Sequence, residues 1–155
     1  MTANRCGSCT LCCKLLEIGE LEKPKDRWCP HCSPGSECRI YENRPASCRD
    51  FACLWLASQD EAKPLPPELR PDKSKVVLYF SEDRKDVLGA CDPAAPHAWK
   101  EPALFGLLDV ISQQGIRVML GNGREHFAID RGRARRVELS TPDSKGIRTF
   151  VRFLD

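Results

Sequence analysis

The sequence predicts an α+β fold, in which a cysteine-rich metal-binding module with short helices is joined to a small antiparallel sheet carrying one or two helices. The first observation is that nine of the ten cysteines fall between Cys6 and Cys53, with only Cys91 beyond them. The second is that the chain after a proline-rich stretch has the apolar periodicity of ordinary strands and helices. We therefore expect two parts, residues 1–62 and 73–155, which either stand apart or form one integrated domain.

The strands and helices of the second part follow from local patterns. Residues 75–81 are rich in β-branched and aromatic side chains and predict a strand, with 86–91 as its partner. Residues 101–114 predict a helix that begins near Pro102 and ends before Gly115. Its apolar side chains recur at helical spacing: Leu104, Leu107, Leu108 and Ile111.

The remaining elements are a hairpin, a third strand and a closing helix. Residues 117–120 and 125–130 flank Gly121-Asn122-Gly123, which favours a hairpin turn. Residues 135–139 add a third strand, and 144–154 predict an amphipathic helix. Four prolines within 63–72 predict an extended, stiff connector between the two parts. We expect the second part to keep its own cooperative unfolding when the chain is cut within this connector.

Composition limits the classes of function. The 155 residues fit one domain, and 24 basic against 22 acidic side chains leave a charge of +2. This balance shows no global signature of nucleic-acid or membrane binding. The N-terminal residues lack the apolar run of a secretory signal, and no stretch is apolar enough to span a bilayer. We expect a cytoplasmic protein whose partners are metal ions, with an unknown protein partner left open, and neither membrane nor nucleic acid.

The compartment decides how the cysteines are interpreted. In a secreted chain this density would indicate disulfides, whereas in a reducing cytosol it favours metal binding or catalysis. Disulfides and buried free thiols remain the alternatives for the clustered cysteines. For Cys91, which stands alone after an apolar stretch, a buried free thiol is the better interpretation.

The first cysteine run has the spacing CxxCxxCC and comprises Cys6, Cys9, Cys12 and Cys13. Two residues between cysteines allow both sulfurs to turn toward one ion. Three such cysteines in series are also typical of iron–sulfur binding runs, in which another thiolate comes from elsewhere. Because adjacent side chains diverge, one member of the Cys12-Cys13 pair can serve a second metal or a bridge.

The second run places Cys29 and Cys32 at knuckle spacing and is followed by Cys38 after a turn. His31 lies between the two knuckle cysteines and is a candidate imidazole ligand. The commoner arrangement is that a residue inside a knuckle points away from the metal.

The third run contains Cys48 and Cys53, and Pro45 suits the first turn of a short helix leading into Cys48. On a straight helix, side chains five residues apart are separated by about 140°. Either the helix therefore ends between Cys48 and Cys53, or the two cysteines serve different metals. We expect Phe51 and Trp55 to pack under the cluster and shield it.

Charge adds a supporting observation. A site of four thiolates holding Zn²⁺ or an iron–sulfur core carries net negative charge, which nearby cations would offset. Arg5, Lys14, Arg39 and Arg49 each adjoin a clustered cysteine in sequence. All-thiolate ligation suits zinc and iron alike, so the metal stays open between them.

The cysteine pattern resembles the YkgJ-type cysteine-cluster family, whose CxxCxxCC domain is described as zinc- or iron-chelating. The likeness covers residues 5–56 and combines the doubled cysteine with the segments CRIYENRP and CRDFxC. It implies metal chelation, with iron–sulfur as one form, and carries over to Cys6, Cys9, Cys12, Cys13, Cys38, Cys48 and Cys53. Cys29 and Cys32 both stand where the family has one cysteine. The pattern is also similar to the cysteine segment of bacterial flagellin lysine methylases, but no glycine-rich S-adenosylmethionine loop is visible here.

The leading hypothesis is a metal-binding protein with a structural or electron-transfer role and no catalysis of its own. The rival is an iron–sulfur enzyme or a metal-delivery factor, because nine clustered cysteines exceed the eight that two four-coordinate sites use.

Other residues have simpler interpretations. Glu125 and His126 are better read as sheet residues than as an acid–base pair. The basic segment 131–136 is better read as a solvated turn, since no aromatic residues interleave with it.

Overall fold

A six-stranded sheet dominates the computed structural model, which describes residues 6–154. Its strands are β3 (Val76–Phe80), β4 (Asp86–Cys91), β5 (Arg117–Gly121), β6 (His126–Asp130), β7 (Arg133–Leu139) and β8 (Phe150–Phe153). They lie side by side in chain order. A separate two-stranded ribbon pairs β1 (Cys32–Ser33) with β2 (Glu37–Cys38).

Five short helices complete the fold, namely α1 (Leu11–Leu15), α2 (Ala46–Arg49), α3 (Leu54–Ser58), α4 (Pro71–Ser74) and α5 (Pro102–Gln113). Single 3₁₀ turns occur at Gly19–Leu21, Tyr41–Asn43, Pro67–Leu69 and Ala98–Lys100. The predicted α+β class is confirmed, as are the paired strands at 75–81 and 86–91, the helix at 101–114, the hairpin and the strand at 135–139. No helix among residues 6–154 is long and apolar enough to cross a membrane.

The prediction of a purely antiparallel sheet is wrong at one pair of strands. β4 and β5 run parallel, with Val87 opposite Val118, whereas the other neighbouring strands are antiparallel. Parallel neighbours need a long crossover, and α5 supplies it between the two strands. The helix and the strands were each predicted from local patterns, but the direction of pairing depends on how α5 packs back onto the sheet.

The predicted closing helix over 144–154 is also wrong, because this segment forms β8 at the sheet edge. Asp143 organises the preceding turn, where its Oδ1 accepts from the amides of Lys145 (2.8 Å) and Ile147 (2.9 Å). Gly146 adopts a φ of 77°, which favours glycine and interrupts a helix. The strand then satisfies the otherwise unpaired backbone edge of β7.

The two faces of the sheet are covered by different parts of the chain. Val76, Leu78 and Val87 point to the face on which Leu104 and Leu108 of α5 are buried. Since side chains alternate along a strand, Val77 and Tyr79 point to the opposite face. There Leu11 and Leu15 of α1 pack on Val77. The cysteine-rich part therefore lies against the sheet on the side away from α5.

The proline-rich connector is helical in part, which corrects the prediction of an extended segment. Pro67 opens a 3₁₀ turn and Pro71 opens α4, because the fixed φ of proline suits a first helical turn. Pro71 is buried. Contacts also run between the two parts, including the Lys14–Asp92 ion pair at 2.8 Å. The division at 62–73 into separately folding units stays a prediction.

Candidate metal centre

A single cavity of about 310 Å³ collects cysteines from all three runs of the sequence. Apolar and aromatic side chains, among them Ile18, Phe51 and Tyr79, form much of the remaining wall. The predicted role of Phe51 as a shield agrees with this position, whereas Trp55 is not in the wall and donates to the Pro66 carbonyl instead. Seven of the nine predicted ligands line the cavity: Cys6, Cys9, Cys12, Cys13, Cys29, Cys38 and Cys48.

Helix α1 positions the doubled cysteine. Leu11 and Leu15 anchor one side of the helix on the sheet, so that Cys12 and Cys13 are carried at its surface. The adjacent pair diverges, as expected: Cys12 packs toward the sheet contact, whereas Cys13 packs against Cys29 and the residues around it. Both nevertheless border the same cavity.

The second run folds back onto the first through the main chain. The amide of Cys29 donates to the Cys13 carbonyl at 3.0 Å, and the amide of Cys32 donates to the Cys29 carbonyl at 3.0 Å. Cys38 lies opposite Cys32 in the β1–β2 ribbon. Of the two knuckle cysteines, Cys29 lines the cavity, whereas Cys32 is buried outside its lining. His31 does not line the cavity either, and its carbonyl accepts from the Arg39 amide within the ribbon.

In the third run, the spacing of Cys48 and Cys53 required either that the helix end between them or that they serve different metals, and the helix does end there. Helix α2 ends at Arg49, between Cys48 and Cys53. Cys53 then caps α3, where its Sγ accepts from the Leu56 amide at 3.4 Å. Cys48 lines the cavity and Cys53 lies just outside the lining, although it interacts electrostatically with Cys6.

Burial and mutual proximity raise the pKa of several of these thiols, namely Cys6, Cys13, Cys32 and Cys48. Burial, followed by the neighbouring thiols, raises the pKa of Cys6 to about 11 and that of Cys48 to about 11. The pKa of Cys32 rises to about 12, chiefly through burial and then through Cys13. The hydrogen bond with Cys12 raises the pKa of Cys13 further still. These shifts show that the thiols share one poorly solvated environment in which negative charge needs compensation.

Cys13 is the centre of the thiol arrangement. It hydrogen-bonds with Cys12 and Cys32, while Cys38 and Cys48 both interact with it electrostatically. In the part of the chain that the structure describes, no group of three or more Cys, His, Asp or Glu converges tightly enough to hold an ion as it stands. The chemistry of the donor set nevertheless fits a thiophilic metal, because seven soft thiols from three runs line the cavity beside one carboxylate, that of Glu17.

The described basic residues that adjoin a clustered cysteine in sequence do not line the cavity. Lys14 pairs with Asp92, and Arg39 bonds to the Pro30 carbonyl and to Ser33 Oγ. Arg49 is exposed, while Arg5 lies outside the described residues. None of the three described cations lines the cavity.

Three cations that do not adjoin a cysteine in sequence interact with the thiols instead. Arg44 lines the cavity and lowers the pKa of Cys6 against the effect of burial. Arg70 interacts with Cys9 and forms a bidentate pair with Asp72, both N···O distances being 2.6 Å. Lys23 is buried and interacts with Cys29 and Cys13. Neither Lys23 nor Arg70 adjoins a cysteine, so cysteine spacing could not indicate them. Arg44 lies in the IYENRP segment of the motif, which could have indicated it.

The remaining candidates lie away from the cavity. Glu125 pairs with Arg136 at 3.6 Å, and His126 stands in β6, where burial lowers its pKa. In the basic segment, the Arg135 guanidinium stacks on the Phe153 ring at 3.6 Å. Cys91 is buried in the core beneath α5. In comparisons with models of known protein families, with curated proteins and with solved structures, nothing matches this chain.

Proposed function

We propose that this protein binds zinc or iron, iron in the form of an iron–sulfur cluster, through its N-terminal cysteines, with a structural or electron-transfer role. The observation that carries the proposal is the gathering of seven cysteines from three separate runs around one cavity. The resemblance of the motif to the YkgJ-type cluster supports the same chemistry. Scattered free thiols would have no reason to share one cavity wall, since free cysteine otherwise packs as a small hydrophobe.

The number of cysteines around the cavity favours a group with more than one metal atom. Seven cysteines line the cavity, whereas a single tetrahedral zinc uses four thiolates. Two metal sites use more of these cysteines, and an iron–sulfur cluster is the other group that brings several metal atoms. The apolar wall would keep water from such a group and influence its reduction potential.

The residues divide between ligation and support. Cys29 borders the cavity and Cys32 hydrogen-bonds with Cys13, so both remain candidate ligands. Phe51 and Tyr79 meet edge to face, with ring centroids 5.6 Å apart, and close the wall toward the sheet. Bound zinc would cross-link the three cysteine runs, and a bound iron–sulfur cluster would accept or donate single electrons.

Anaerobic purification followed by elemental analysis, acid-labile sulfide determination and a visible spectrum tests the proposal. We expect zinc or iron at one or two sites per chain, with sulfide and visible absorption if the metal is in a cluster. A chain that is well folded in reducing buffer yet takes up neither metal, even on reconstitution with zinc or with iron and sulfide, would contradict it.

Metal delivery is the second candidate, favoured by the exposure of the thiols. Cys6, Cys9 and Cys48 are residues of intermediate exposure, unlike the buried Cys29 and Cys32. Thiolate ligands near the surface exchange more readily than fully enclosed ones. The rate at which metal passes to a thiol-rich apo-acceptor distinguishes the two roles. Rapid, complete transfer supports delivery, whereas retention over hours supports a structural or electron-transfer role.

A further inference from the structure

Lys23 is an unusual residue for its position, because it is a lysine with only 3 % of its surface exposed. Its ammonium donates to the Lys14 carbonyl at 2.9 Å. Among the described residues it forms no ion pair with a carboxylate. An ammonium has three N–H donors, and a buried positive charge without an anionic partner is strongly unfavourable. Asp26 acts on the ammonium electrostatically but forms no ion pair with it, so a closer anionic partner would stabilise the buried charge.

The fold holds the Lys23 side chain beside the thiols. A tight hairpin fixes its backbone through hydrogen bonds with Ile18, from the Ile18 amide at 2.9 Å and to the Ile18 carbonyl at 3.1 Å. Glu22 adopts a φ of 51° to close this hairpin. Ile18 packs with Cys29, Cys32 and Cys13. The ammonium of Lys23 donates to the carbonyl of Lys14, the residue directly after Cys13. The backbone and the ammonium of Lys23 therefore both bond to residues beside the cysteine site.

The Lys23 ammonium interacts electrostatically with cysteines of the cavity. Burial lowers the pKa of the ammonium, and the groups that oppose this shift are, in order, Cys29, Cys13, Asp26 and Cys12. Conversely, Lys23 opposes the rise in the pKa of Cys13. Cys13 and Cys29 both line the cavity. As metal-bound thiolates they would carry negative charge that balances the buried ammonium.

We infer that Lys23 is the buried counter-cation of the metal centre, which compensates the negative charge of a group held by Cys13 and Cys29. The inference rests on the proposed function and adds a positioning residue that is not itself a ligand. If the inference holds, the effect of Lys23 on the stability of the fold depends on whether metal is bound. Without metal, Asp26 acts on the lysine but forms no ion pair with it, so the buried charge is poorly compensated and destabilises the fold. With metal, the same charge stabilises the loaded state.

The test compares Lys23→Met with wild type, both loaded with metal under anaerobic conditions and then stripped by a chelator. Methionine has similar length and no charge. We expect Lys23→Met to retain metal about tenfold less well in chelator competition, a change that corresponds to about 1.4 kcal/mol, because the charge that compensates the bound group is lost. We also expect the metal-free variant to melt no lower, or higher, than metal-free wild type. Lys25→Met, at an exposed lysine two residues away, is the matched control and should change neither measurement.

The outcomes separate the inference from the proposed function. Lys23→Arg keeps the charge, and restored metal retention in that variant supports the counter-cation role. Wild type that binds metal while Lys23→Met retains it equally well overturns this inference alone. Equal destabilisation of the metal-free and loaded forms by Lys23→Met also overturns it, since that result indicates an ordinary packing role. Wild type that takes up no metal overturns the proposed function, and the inference with it.

Discussion

Cys91 shows how a single residue's position separates a core thiol from the clustered ones. It lies on the sheet face that carries α5, opposite Val76 of the neighbouring strand, and has 2 % of its surface exposed. The cysteine cavity lies on the other face, bordered by Tyr79. Burial raises the pKa of the Cys91 thiol to about 12, so it is an unreactive, neutral group.

We expect serine at Cys91 to leave metal content unchanged and to lower the free energy of unfolding by about 1–3 kcal/mol, because a hydroxyl would be buried without a partner. Serine at Cys9, Cys12 or Cys48 should instead lose metal, since serine oxygen is a poor ligand for soft metals. Metal content of the four variants, measured side by side with chemical denaturation, tests both statements. Metal loss in the Cys91 variant would contradict the assignment of this residue to the core.

At the scale of an element, strand β4 depends on a close approach at Gly89. A Cβ built there would overlap Leu120 Cδ2 and lie 3.1 Å from Leu78 Cδ2. Both leucines are buried beneath α5, with 1 % and 6 % exposure, and so have little room to move aside. The strand can cross beneath α5 only because this residue lacks a side chain.

We expect Gly89→Ala to destabilise the protein by about 1–3 kcal/mol through overpacking of this core. The matched control is Gly106→Ala in α5, where a Cβ meets nothing within 4 Å. Alanine in a helix interior should stabilise by about 0.5–1 kcal/mol relative to glycine. Urea denaturation of the two variants should therefore give shifts of opposite sign. An unchanged midpoint for Gly89→Ala would show that the core relaxes around the added methyl group.

At the scale of the whole molecule, an ion pair joins the cysteine-rich part to the sheet. Lys14 Nζ lies 2.8 Å from Asp92 Oδ1, with 21 % and 8 % of the two side chains exposed. Burial by itself would raise the pKa of Asp92, but the hydrogen bonds from Lys14 and from the Ala94 amide outweigh it, and the pKa lies below its ordinary value. The carboxylate form is therefore preferred in the folded state.

Because the pKa of Asp92 is depressed on folding, its contribution to stability is fully present above its unfolded pKa, near pH 4, and is lost as the pH falls through the folded pKa. We expect Asp92→Asn to reduce the free energy of unfolding by about 1–3 kcal/mol at neutral pH, and the difference from wild type to shrink in acid. Asp86→Asn, whose partner Arg117 is 51 % exposed, should reduce it by less than about 1 kcal/mol. Denaturation at several pH values, with metal-free protein, measures both. A constant difference down to the lowest pH would exclude a role for the Asp92 charge.

Packing between the two parts has a further consequence for the whole molecule. Leu15 and Val77 are both almost fully buried at their contact, so α1 and the sheet shield each other from water. Tyr79 extends from the same sheet face into the wall of the cysteine cavity. The second part of the chain thus contributes to the environment of the cysteines, although the cysteines belong to the first.

The sequence by itself determined the features that arise from neighbouring residues. Alternating and helical apolar patterns predicted five of the six sheet strands and helix α5, because these patterns reflect which side of an element is buried. Cysteine spacing likewise indicated nine candidate ligands, of which seven line one cavity, and their role as ligands stays a prediction. For the segment ending in β8 the local pattern favoured a helix, and the unpaired edge of β7 overrode it.

Only the tertiary structure decided how distant segments meet. The parallel pairing of β4 with β5 follows from the packing of α5, and the approach of Tyr79 to the cysteines follows from the folding of α1 onto the sheet. Arg70 likewise reaches Cys9 from a distant part of the chain, and Cys91 lies on the opposite face of the sheet. These relations join residues far apart in the chain, and their energies depend on burial between elements, which a local pattern does not encode.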